Sequence, residues 1–408
     1  MYIDRHISKI LDELRQQFSA VLLTGARQVG KSTLLKHIAG EEYTYVSFDD
    51  PQIIRQVKED PNLFLLDHPG KLILDEIQLA PEIFPFLKMR IDEAGEPGMF
   101  LLSGSQAFHL MQNVSESLAG RIAIVQLAGL SLRELANVPF SGPFVPSEEN
   151  IRMRSKTDFS NDELWDFIFK GSYPQLHAGN VTRDAWYASY TSTYLERDVR
   201  QLINIQDITS FMQFISSVAA RSGELLNHSS IAKDIGISSN TAKSWLNILE
   251  ASGVVYILRP WYNNHLKRAL KTPKVYFMDS GLLAWLTRWP SAETIRMGAK
   301  AGQFYETFVI IEIVKSFFNK GISRPDLYFY RNKDRREIDL IIQDGRTLYP
   351  VEIKMTAAPS AKMAKSFNLM PELAKADNLK VGRGTILCQY PEVMHLKEDI
   401  VSLPLQYL

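Results

Sequence analysis

Cysteine is almost absent from this sequence, because its 408 residues include only Cys388. A single thiol excludes an internal disulfide framework and a zinc site built from cysteines, and it fits a reducing compartment. No apolar run approaches the ~18 residues that a membrane span requires. The first residues carry acids and lack an uninterrupted apolar core, so they do not indicate a signal peptide. We therefore expect a soluble, cytoplasmic protein that does not contact a membrane.

Net charge is also lacking, since 46 basic residues balance 46 acidic ones. This balance argues against a protein that coats nucleic acid non-specifically, although a local basic patch remains compatible with it. Hydrophobic residues at 45% and charged residues at 23% are typical of a globular chain and exclude a disordered or fibrous one. The sequence has no internal repeat, and its length predicts two or three domains.

Short apolar runs alternate with helical patterns in the first third of the chain, at 21–23, 43–48, 72–74, 99–102 and 122–127. This alternation predicts a parallel sheet with helices on both faces, the α/β class. A segment rich in proline, serine and glutamate at 138–150 indicates a loop or linker. We expect four regions: a domain over 1–137, a linker and helices over 138–222, and two smaller domains over 223–290 and 291–408.

A glycine-rich loop follows the first apolar run and reads GARQVGKS, which fits the pattern G-x-x-x-x-G-K-[ST]. Its glycines let the backbone curl around an anion, and the dipole of the next helix adds to the attraction. In this pattern Lys31 contacts the β- and γ-phosphates and the Ser32 hydroxyl binds Mg²⁺. The alternative is a plain glycine turn. The predicted ATP-binding residues are Gly25, Ala26, Arg27, Gln28, Val29, Gly30, Lys31, Ser32 and Thr33.

Two carboxylates end the apolar run at 72–74. Behind a phosphate loop, Asp75 is expected to bind Mg²⁺ through water, and Glu76 to polarise the attacking water. Taken alone, two acids after a strand are more often solvated turn residues. The phosphate loop upstream favours the functional interpretation.

Two further residues are weaker candidates. Ser105 follows the run at 99–102 and could sense the γ-phosphate, with a plain turn as the alternative. Arg121 begins the run at 122–127 and could reach the transferring phosphate in its own or a neighbouring subunit. A structural ion pair explains Arg121 equally well.

The middle of the chain has the order helix, glycine turn, second helix and apolar strand, which is typical of a winged helix. Ser238 or Ser239 can cap the second helix, which is expected to expose Asn240, Lys243, Ser244 and Asn247. The segment 259–274 holds no acid but combines basic and aromatic residues, namely Arg259, Trp261, Tyr262, His265, Lys267, Arg268, Lys271 and Lys274. Such a segment can contact phosphates and stack on bases, so we predict DNA as a partner. The alternative is a winged helix that packs against protein beside a solvated loop.

A carboxylate–lysine pattern appears near the C-terminus. Glu352 and Lys354 lie two residues apart on a predicted strand, hence on one face, and Asp339 lies on the neighbouring strand. Glu306, on the preceding helix, could supply a third carboxylate. Such a group suits Mg²⁺ bound by Glu306, Asp339 and Glu352, with Lys354 activating water. Cross-strand ion pairs are the alternative.

Taken together, these motifs resemble those of a bacterial and archaeal family of AAA-type P-loop ATPases whose C-terminal region is similar to restriction endonucleases. The stretches that carry the resemblance span nearly the whole chain: GARQVGKST, LILDEIQ, LLSGS, SLAGR, GSYP, TYLERDVR, KVYFMDSGLLAWL, REIDLI and VEIKM. It implies an ASCE-type P-loop domain, a helical and winged-helix middle, and a small α/β PD-(D/E)xK endonuclease-like domain. It also implies ATPase roles for Lys31, Ser32, Asp75, Glu76 and Arg121, and nuclease roles for Asp339, Glu352 and Lys354.

Three functions remain open at this point. The first is an ATPase that uses Mg²⁺ and couples nucleotide state to the winged-helix and nuclease-like parts, acting on DNA. The second is a nucleotide-gated DNA-binding or signalling switch with slow turnover and an inactive nuclease-like domain. The third is an ATP-controlled DNA nuclease. A homo-oligomer or a partner protein is compatible with all three.

Overall fold

The computed structural model describes residues 2–105, 117–195, 207–262, 272–375 and 377–408. Its N-terminal part is built around a five-stranded parallel sheet with the order β2-β3-β4-β1-β5. The strands are β1 Ala20–Thr24, β2 Tyr43–Ser47, β3 Lys71–Asp75, β4 Phe100–Gly104 and β5 Ile122–Gln126. The helices in this part are α1 Ser8–Arg15, α2 Lys31–Ala39, α3 Pro51–Glu59, α4 Pro61–Asp67 and α5 Phe84–Ala94.

The alternation of side chains along β1 explains why this sheet is covered on both faces. Val21 and Leu23 belong to one hydrophobic cluster, whereas Ala20 and Leu22 belong to another. Successive residues of a strand point to opposite faces, so a strand buried on both faces must be apolar throughout. The α/β fold class is thus confirmed. Strand β4 lies between β1 and β3, as expected for an ASCE-type sheet.

The chain leaves β1 through a turn that only glycine tolerates. Gly25 has φ of 142°, and a side chain there would collide with the Leu127 carbonyl group. Gly30, with φ of 96°, precedes α2 in the left-handed region. Both positions match the glycines of the predicted loop, because a residue with a side chain is strained in this region.

Helices dominate the segment between the two sheets. They are α6 Leu132–Leu135, α7 Glu148–Met153, α8 Asn161–Lys170, α9 Pro174–Ala178, α10 Arg183–Tyr190, a π-helical turn Thr191–Leu195, and α11 Ile208–Ala219. Asp279 ties this segment to the rest of the chain. Its carboxylate accepts hydrogen bonds from the backbone N–H and hydroxyl of Ser172, the Tyr187 hydroxyl and the Leu282 N–H, at 2.6–2.8 Å.

The predicted pair of short helices is present as α12 His228–Ile235 and α13 Ser239–Ala251. Gly236 ends α12 in the left-handed region, and the Ser238 side chain accepts a hydrogen bond from the Thr241 N–H to cap α13. The expected solvent-facing residues of α13 are all exposed, namely Asn240, Lys243, Ser244 and Asn247. An antiparallel hairpin follows, formed by β6 Val255–Pro260 and β7 Lys274–Phe277.

This hairpin extends a second, mixed sheet through pairing of β6 with β8. The remaining strands are β8 Leu327–Arg331, β9 Glu337–Asp344, β10 Thr347–Ile353, β11 Lys380–Val381, β12 Gly384–Cys388, β13 Met394–Lys397 and β14 Ile400–Pro404. The order is β13-β14-β12-β10-β9-β8-β6-β7, and β11 also pairs with β10. The predicted division at 290/291 therefore does not coincide with a break in the sheet. The other C-terminal helices are α14 Ser280–Leu286, α15 Ala292–Met297, α16 Ala301–Phe318 and α17 Met370–Lys375.

Helix α16 is buried around most of its circumference. The sequence predicts a single apolar stripe through Phe304, Phe308 and Ile311, and all three are buried. However, Glu312 and Lys315 are buried as well and form an ion pair of 2.7 Å. Both side chains also form hydrogen bonds with the segment that follows the first sheet. Lys315 Nζ donates to the Leu130 carbonyl, and the Glu312 carboxylate accepts from the Leu132 N–H. This helix is thus one of the contacts between the two halves of the molecule.

No helix in the described part of the chain combines the length and the apolarity that crossing a membrane would require.

Substituting Asp279 by alanine is expected to destabilise the fold, because it leaves three buried donors without this acceptor, namely the backbone N–H and hydroxyl of Ser172 and the Leu282 N–H. The Tyr187 hydroxyl can still donate to the Lys170 carbonyl. The expected loss in the free energy of unfolding is about 2–5 kcal/mol. Urea denaturation should show a lower midpoint with an unchanged slope. Asp184→Ala removes the same side chain from the surface, where it pairs only with Arg183, and should cost less than about 1 kcal/mol. Equal midpoints for the two variants would contradict this role of Asp279.

Candidate functional site

The side chain of Lys31 lies inside the glycine-rich loop. Its Nζ donates to the carbonyl oxygens of Gly25 and Ala26, each at 3.0 Å, and only 5% of the residue is exposed. The ammonium group is thus held at the concave side of the loop. A phosphate group placed there would meet a positive charge at the N-terminus of α2.

Arg5 supports the loop from behind and was not identified from the sequence. Its guanidinium donates to the carbonyl oxygens of Val29 at 2.8 Å and Ala128 at 2.7 Å. It also forms a buried ion pair of 3.1 Å with Glu134, whose carboxylate caps α6. Since arginine holds five donors in a rigid plane, one side chain can join three separate segments. No local motif surrounds Arg5, so its role follows only from the tertiary fold.

Asp75 lies at the end of β3, beside the start of α2. Its carboxylate accepts hydrogen bonds from the Ser32 hydroxyl at 2.8 Å, the Tyr45 hydroxyl at 2.7 Å and the Ser103 hydroxyl. Ser32 and Asp75, each of which the sequence predicts to bind Mg²⁺, therefore lie next to each other. Tyr45 and Ser103 were not predicted, although both lie on strands adjacent to β3. Burial raises the pKa of the Tyr45 hydroxyl above its usual range, and the hydrogen bond to Asp75 adds a smaller increase.

Glu76 adopts the left-handed conformation with φ of 53°, which is uncommon for a residue with a side chain. Its carboxylate accepts hydrogen bonds from the Ser105 hydroxyl at 3.1 Å and from the Gln78 amide. Ser105 thus lies beside Glu76, at the sheet edge where it was predicted. The turn directs a second carboxylate to the same edge as Asp75, since parallel strands end together there.

These groups line a cleft of about 560 Å³ that contains Arg27, Gln28, Gly30, Lys31, Ser32, Thr33 and Glu76. A hydroxyl and a carboxylate 2.8 Å apart are the oxygen ligands that Mg²⁺ prefers. The donor set therefore fits a magnesium ion that also contacts phosphate oxygens.

Arg121 lies at the opposite edge of the sheet, which is incompatible with an action on phosphate bound within the same chain. It precedes β5, whose first residue pairs with Ala20 at the start of β1, whereas the glycine loop follows the end of β1. Five residues of strand separate the two edges by roughly 16 Å. The guanidinium instead pairs with Asp92, with 2.5 Å between Nε and Oδ1.

The predicted C-terminal group is partly assembled. Lys354 Nζ lies 2.9 Å from Asp339 Oδ2 and 2.5 Å from Glu352 Oε2. The Ile353 N–H also donates to Asp339, at 2.8 Å. Burial, reinforced by the nearby Asp339 carboxylate, raises the pKa of Glu352 to about 9. The three residues therefore converge, as the strand pattern predicts.

Glu306 makes a different set of contacts. Its carboxylate accepts hydrogen bonds from the Tyr276 hydroxyl at 2.6 Å and from Lys274 at 3.1 Å, and Lys274 also pairs with Glu337. Burial raises the pKa of Glu306, and the Asp339 charge adds to the effect while Lys274 opposes it. Among the described residues, no three histidine, cysteine, aspartate or glutamate side chains are grouped so as to hold a metal ion. The structure thus does not join Glu306 to Asp339 and Glu352 as a ready metal site.

The basic segment 259–274 is only partly described. Lys267, Arg268, Lys271 and His265 lie outside the described residues. Lys274 was expected at the surface, but only 4% of it is exposed, because its ammonium group is paired with Glu306 and Glu337. Trp261 is fully buried. Lys274 and Trp261 are therefore unsuited to contact DNA, which corrects the prediction for these two residues.

Comparison with protein families divides the chain into three parts. Residues 17–136 match a model described as an AAA domain. Residues 161–293 and 301–408 match two models described as domains of unknown function, DUF8612 and DUF4143. Together with the loop geometry, the first match defines the N-terminal domain as a P-loop ATPase domain of the AAA type.

Individual relatives span most of the chain. Uncharacterized proteins of Mycobacterium tuberculosis and Mycobacterium bovis are each 29% identical over 388 residues, which covers 94% of this chain and 79% of theirs. Similar solved structures include a Walker-type ATPase of Pyrococcus abyssi, with a TM-score of 0.41, 15% identity and coverage of 70% of this chain and 96% of that one. The RuvB Holliday junction branch migration motor of Thermotoga maritima has a TM-score of 0.29 and 16% identity, covering 61% and 86%.

Replacing Lys31 by alanine is expected to abolish measurable ATP binding without unfolding the protein, since its ammonium group binds loop carbonyls and its side chain belongs to none of the hydrophobic clusters. Calorimetric titration with ATP and Mg²⁺ measures the affinity, and circular dichroism checks the fold. Lys58→Ala is the control, because it removes the same charge from an exposed position on α3. A folded Lys31→Ala protein with normal ATP affinity would disprove the assignment of the loop.

Proposed function

We propose that this protein binds ATP with Mg²⁺ in the cleft at the glycine-rich loop, hydrolyses it, and transmits its nucleotide state to the DNA-binding and nuclease-like parts of the chain. The observation that carries this proposal is the convergence of Lys31, Ser32, Asp75 and Glu76 at one edge of the parallel sheet. Each has the chemistry that phosphoryl transfer to water requires: a cation, two oxygen ligands for a metal and a carboxylate to orient water.

Each of these residues would have a separate role. Lys31 must exchange its two loop carbonyls for phosphate oxygens, an exchange between acceptors of the same ammonium group. The Ser32 hydroxyl and the Asp75 carboxylate would hold Mg²⁺, which when bound neutralises charge on the phosphates. Glu76 would orient a water molecule for in-line attack and accept its proton, and Ser105 would keep the Glu76 carboxylate in position.

A close contact supports coupling between the loop and the helical region. A side-chain carbon at Gly253, in the turn between α13 and β6, would lie only 3.3 Å from the backbone nitrogen of Ala26. A movement of the loop that accompanies exchange of the Lys31 contacts would therefore press on this turn. On the other side, the Leu130 carbonyl accepts a hydrogen bond from Lys315 of α16. Nucleotide-dependent shifts thus have two direct routes to the C-terminal half.

DNA is the partner that we propose for the helical region. The fold of α11, α12, α13 and the β6–β7 hairpin supports a winged helix, and the exposed face of α13 offers Asn240, Lys243, Ser244 and Asn247. Amides, hydroxyls and a lysine of this kind bind phosphates and base edges. The basic residues of segment 259–274 would add phosphate contacts beside it.

Substituting Glu76 by glutamine should reduce steady-state ATP hydrolysis about 10²- to 10⁴-fold, because the amide cannot take a proton from water. ATP binding should persist, since Lys31 and Ser32 remain. A phosphate-release assay with and without duplex DNA measures turnover, and Glu82→Gln, an exposed change nearby, is the control. Undiminished hydrolysis by Glu76→Gln would refute the role of Glu76, whereas negligible turnover by the unaltered protein would favour a slow nucleotide switch.

A second candidate function, ATP-controlled cleavage of DNA, is favoured by the arrangement of Asp339, Glu352 and Lys354. The Lys354 ammonium group lies within 2.9 Å of both carboxylates. Two carboxylates and a lysine form the set that PD-(D/E)xK nucleases use to bind Mg²⁺ and activate water. Here Lys354 would release its carboxylates when the metal binds. The elevated pKa of Glu352 means that metal binding would also displace a proton, since a carboxylate must be deprotonated to bind a metal.

If this site cleaves DNA, Asp339→Asn and Lys354→Ala should each abolish Mg²⁺-dependent nicking of supercoiled plasmid while ATP hydrolysis is retained. Asp344→Asn is the matched control, because Asp344 is exposed at the end of the same strand as Asp339. Agarose electrophoresis measures nicking. Equal nicking by Asp339→Asn and the unaltered protein would assign the activity to a contaminant and reject the site.

A further inference from the structure

The cleft is lined by more residues than those that would bind phosphates. A second part of its lining comprises Tyr2 and Ile3 from the N-terminal segment, Leu130, and Pro174, Gln175 and Ala178 of α9. This wall is mainly apolar and aliphatic or aromatic, unlike the loop end. Tyr2 is held in place by stacking on His37, with ring centroids 3.9 Å apart. If the triphosphate of a nucleotide lies at Lys31, the base and the ribose must bind elsewhere in the same cleft. This wall offers a surface for them.

Trp186 determines the orientation of the Gln175 side-chain amide. The Trp186 indole N–H donates to Gln175 Oε1 at 3.0 Å. An indole nitrogen can only donate, so the amide atom facing it must be the oxygen. Gln175 therefore turns its oxygen toward Trp186, and its NH₂ group, for which the described part of the chain provides no acceptor, remains available to donate to a ligand.

Trp186 is itself a rigid support. It is 5% exposed and stacks on Tyr190 with an interplanar angle of 14°, and its ring lies 4.4 Å from that of Tyr173. Its position is thus set by a cluster of three aromatic rings. The hydrogen bond from this support restrains the amide of Gln175, a residue that lines the cleft.

We propose that Gln175 selects the nucleobase, donating through its amide NH₂ to N1 of adenine. Guanine carries an N–H at this ring position, so two donors would oppose each other there. The inference rests on the proposed ATP site and adds which base that site prefers. Gln175 is exposed when the cleft is empty, so the discrimination arises once a bound base excludes water from its amide and a donor that faces a donor is left without a partner.

The same contact would link the nucleotide to the C-terminal half of the chain. Gln175 lies three residues after Ser172, whose backbone N–H and hydroxyl both donate to the buried Asp279. Asp279 caps α14, which belongs to the C-terminal half. An adenine base bound to Gln175 would therefore hold this segment against the N-terminal domain, and loss of nucleotide would free it.

The test compares the affinities of ATP, GTP and inorganic tripolyphosphate for three proteins in the presence of Mg²⁺. Gln175→Glu retains an acceptor for Trp186 but replaces the NH₂ donor by a second acceptor. We expect it to weaken ATP binding about three- to tenfold and to improve GTP relative to ATP, because a carboxylate can accept from the guanine N–H. Gln175→Ala should weaken ATP to a similar extent without improving GTP. Gln56→Ala, an exposed glutamine on α3, is the control.

Tripolyphosphate carries no base, so it distinguishes the proposed phosphate site from the proposed recognition of the base. If the unaltered protein binds neither ATP nor tripolyphosphate, the proposed ATP site itself is wrong. If both bind and Gln175→Glu weakens both equally, the effect is one of charge and the base-reading role is rejected. An unchanged ratio of ATP to GTP affinity in Gln175→Glu also rejects it. A loss confined to ATP, with tripolyphosphate unaffected, supports it.

Discussion

The hydrogen bond between the Ser32 hydroxyl and the Asp75 carboxylate joins the start of α2, which follows β1 and the glycine-rich loop, to the end of β3. Strands β1 and β3 are not neighbours, because β4 lies between them. Their ends nevertheless meet, since all five strands are parallel and finish at one edge. The glycine turn at Gly25 then returns the chain toward β3 instead of leading it away. A cation, a hydroxyl and two carboxylates are thereby collected at one edge of the sheet.

The cost of this arrangement is a strained backbone and a set of buried charges, which the surrounding chain stabilises. Glu76 lies in the left-handed region, where a residue with a side chain is disfavoured by roughly 1–2 kcal/mol. Arg5 and Glu134 form an ion pair that is almost fully buried behind the loop. Such pairs contribute specificity of position more than net stability. In this protein they keep the loop in register with the segment that leads to α16.

Two sets of polar contacts near the glycine-rich loop reinforce the apolar core that spans both halves of the molecule. Lys315 and Glu312 of α16 bind the chain at Leu130 and Leu132, and Asp279 binds the segment at Ser172. Both connections lie within a few residues of the nucleotide cleft, whose lining includes Leu130 and Pro174. A ligand in this cleft would therefore contact the same segments that join the halves. This proximity supports the proposed coupling between nucleotide state and the C-terminal sheet.

The sequence by itself determined the glycine loop, Lys31, Ser32 and the carboxylates at 75 and 76, because their chemistry is encoded by spacing over a few residues. It also indicated that Asp339, Glu352 and Lys354 would converge, since period-two alternation on adjacent strands is a local rule. Only the tertiary structure could show that Arg121 lies at the far edge of the sheet and that Lys274 is paired with buried glutamates. It alone revealed Arg5, Tyr45 and Gln175, because such side chains acquire their partners from segments distant along the chain, and no local pattern records which distant segments will meet.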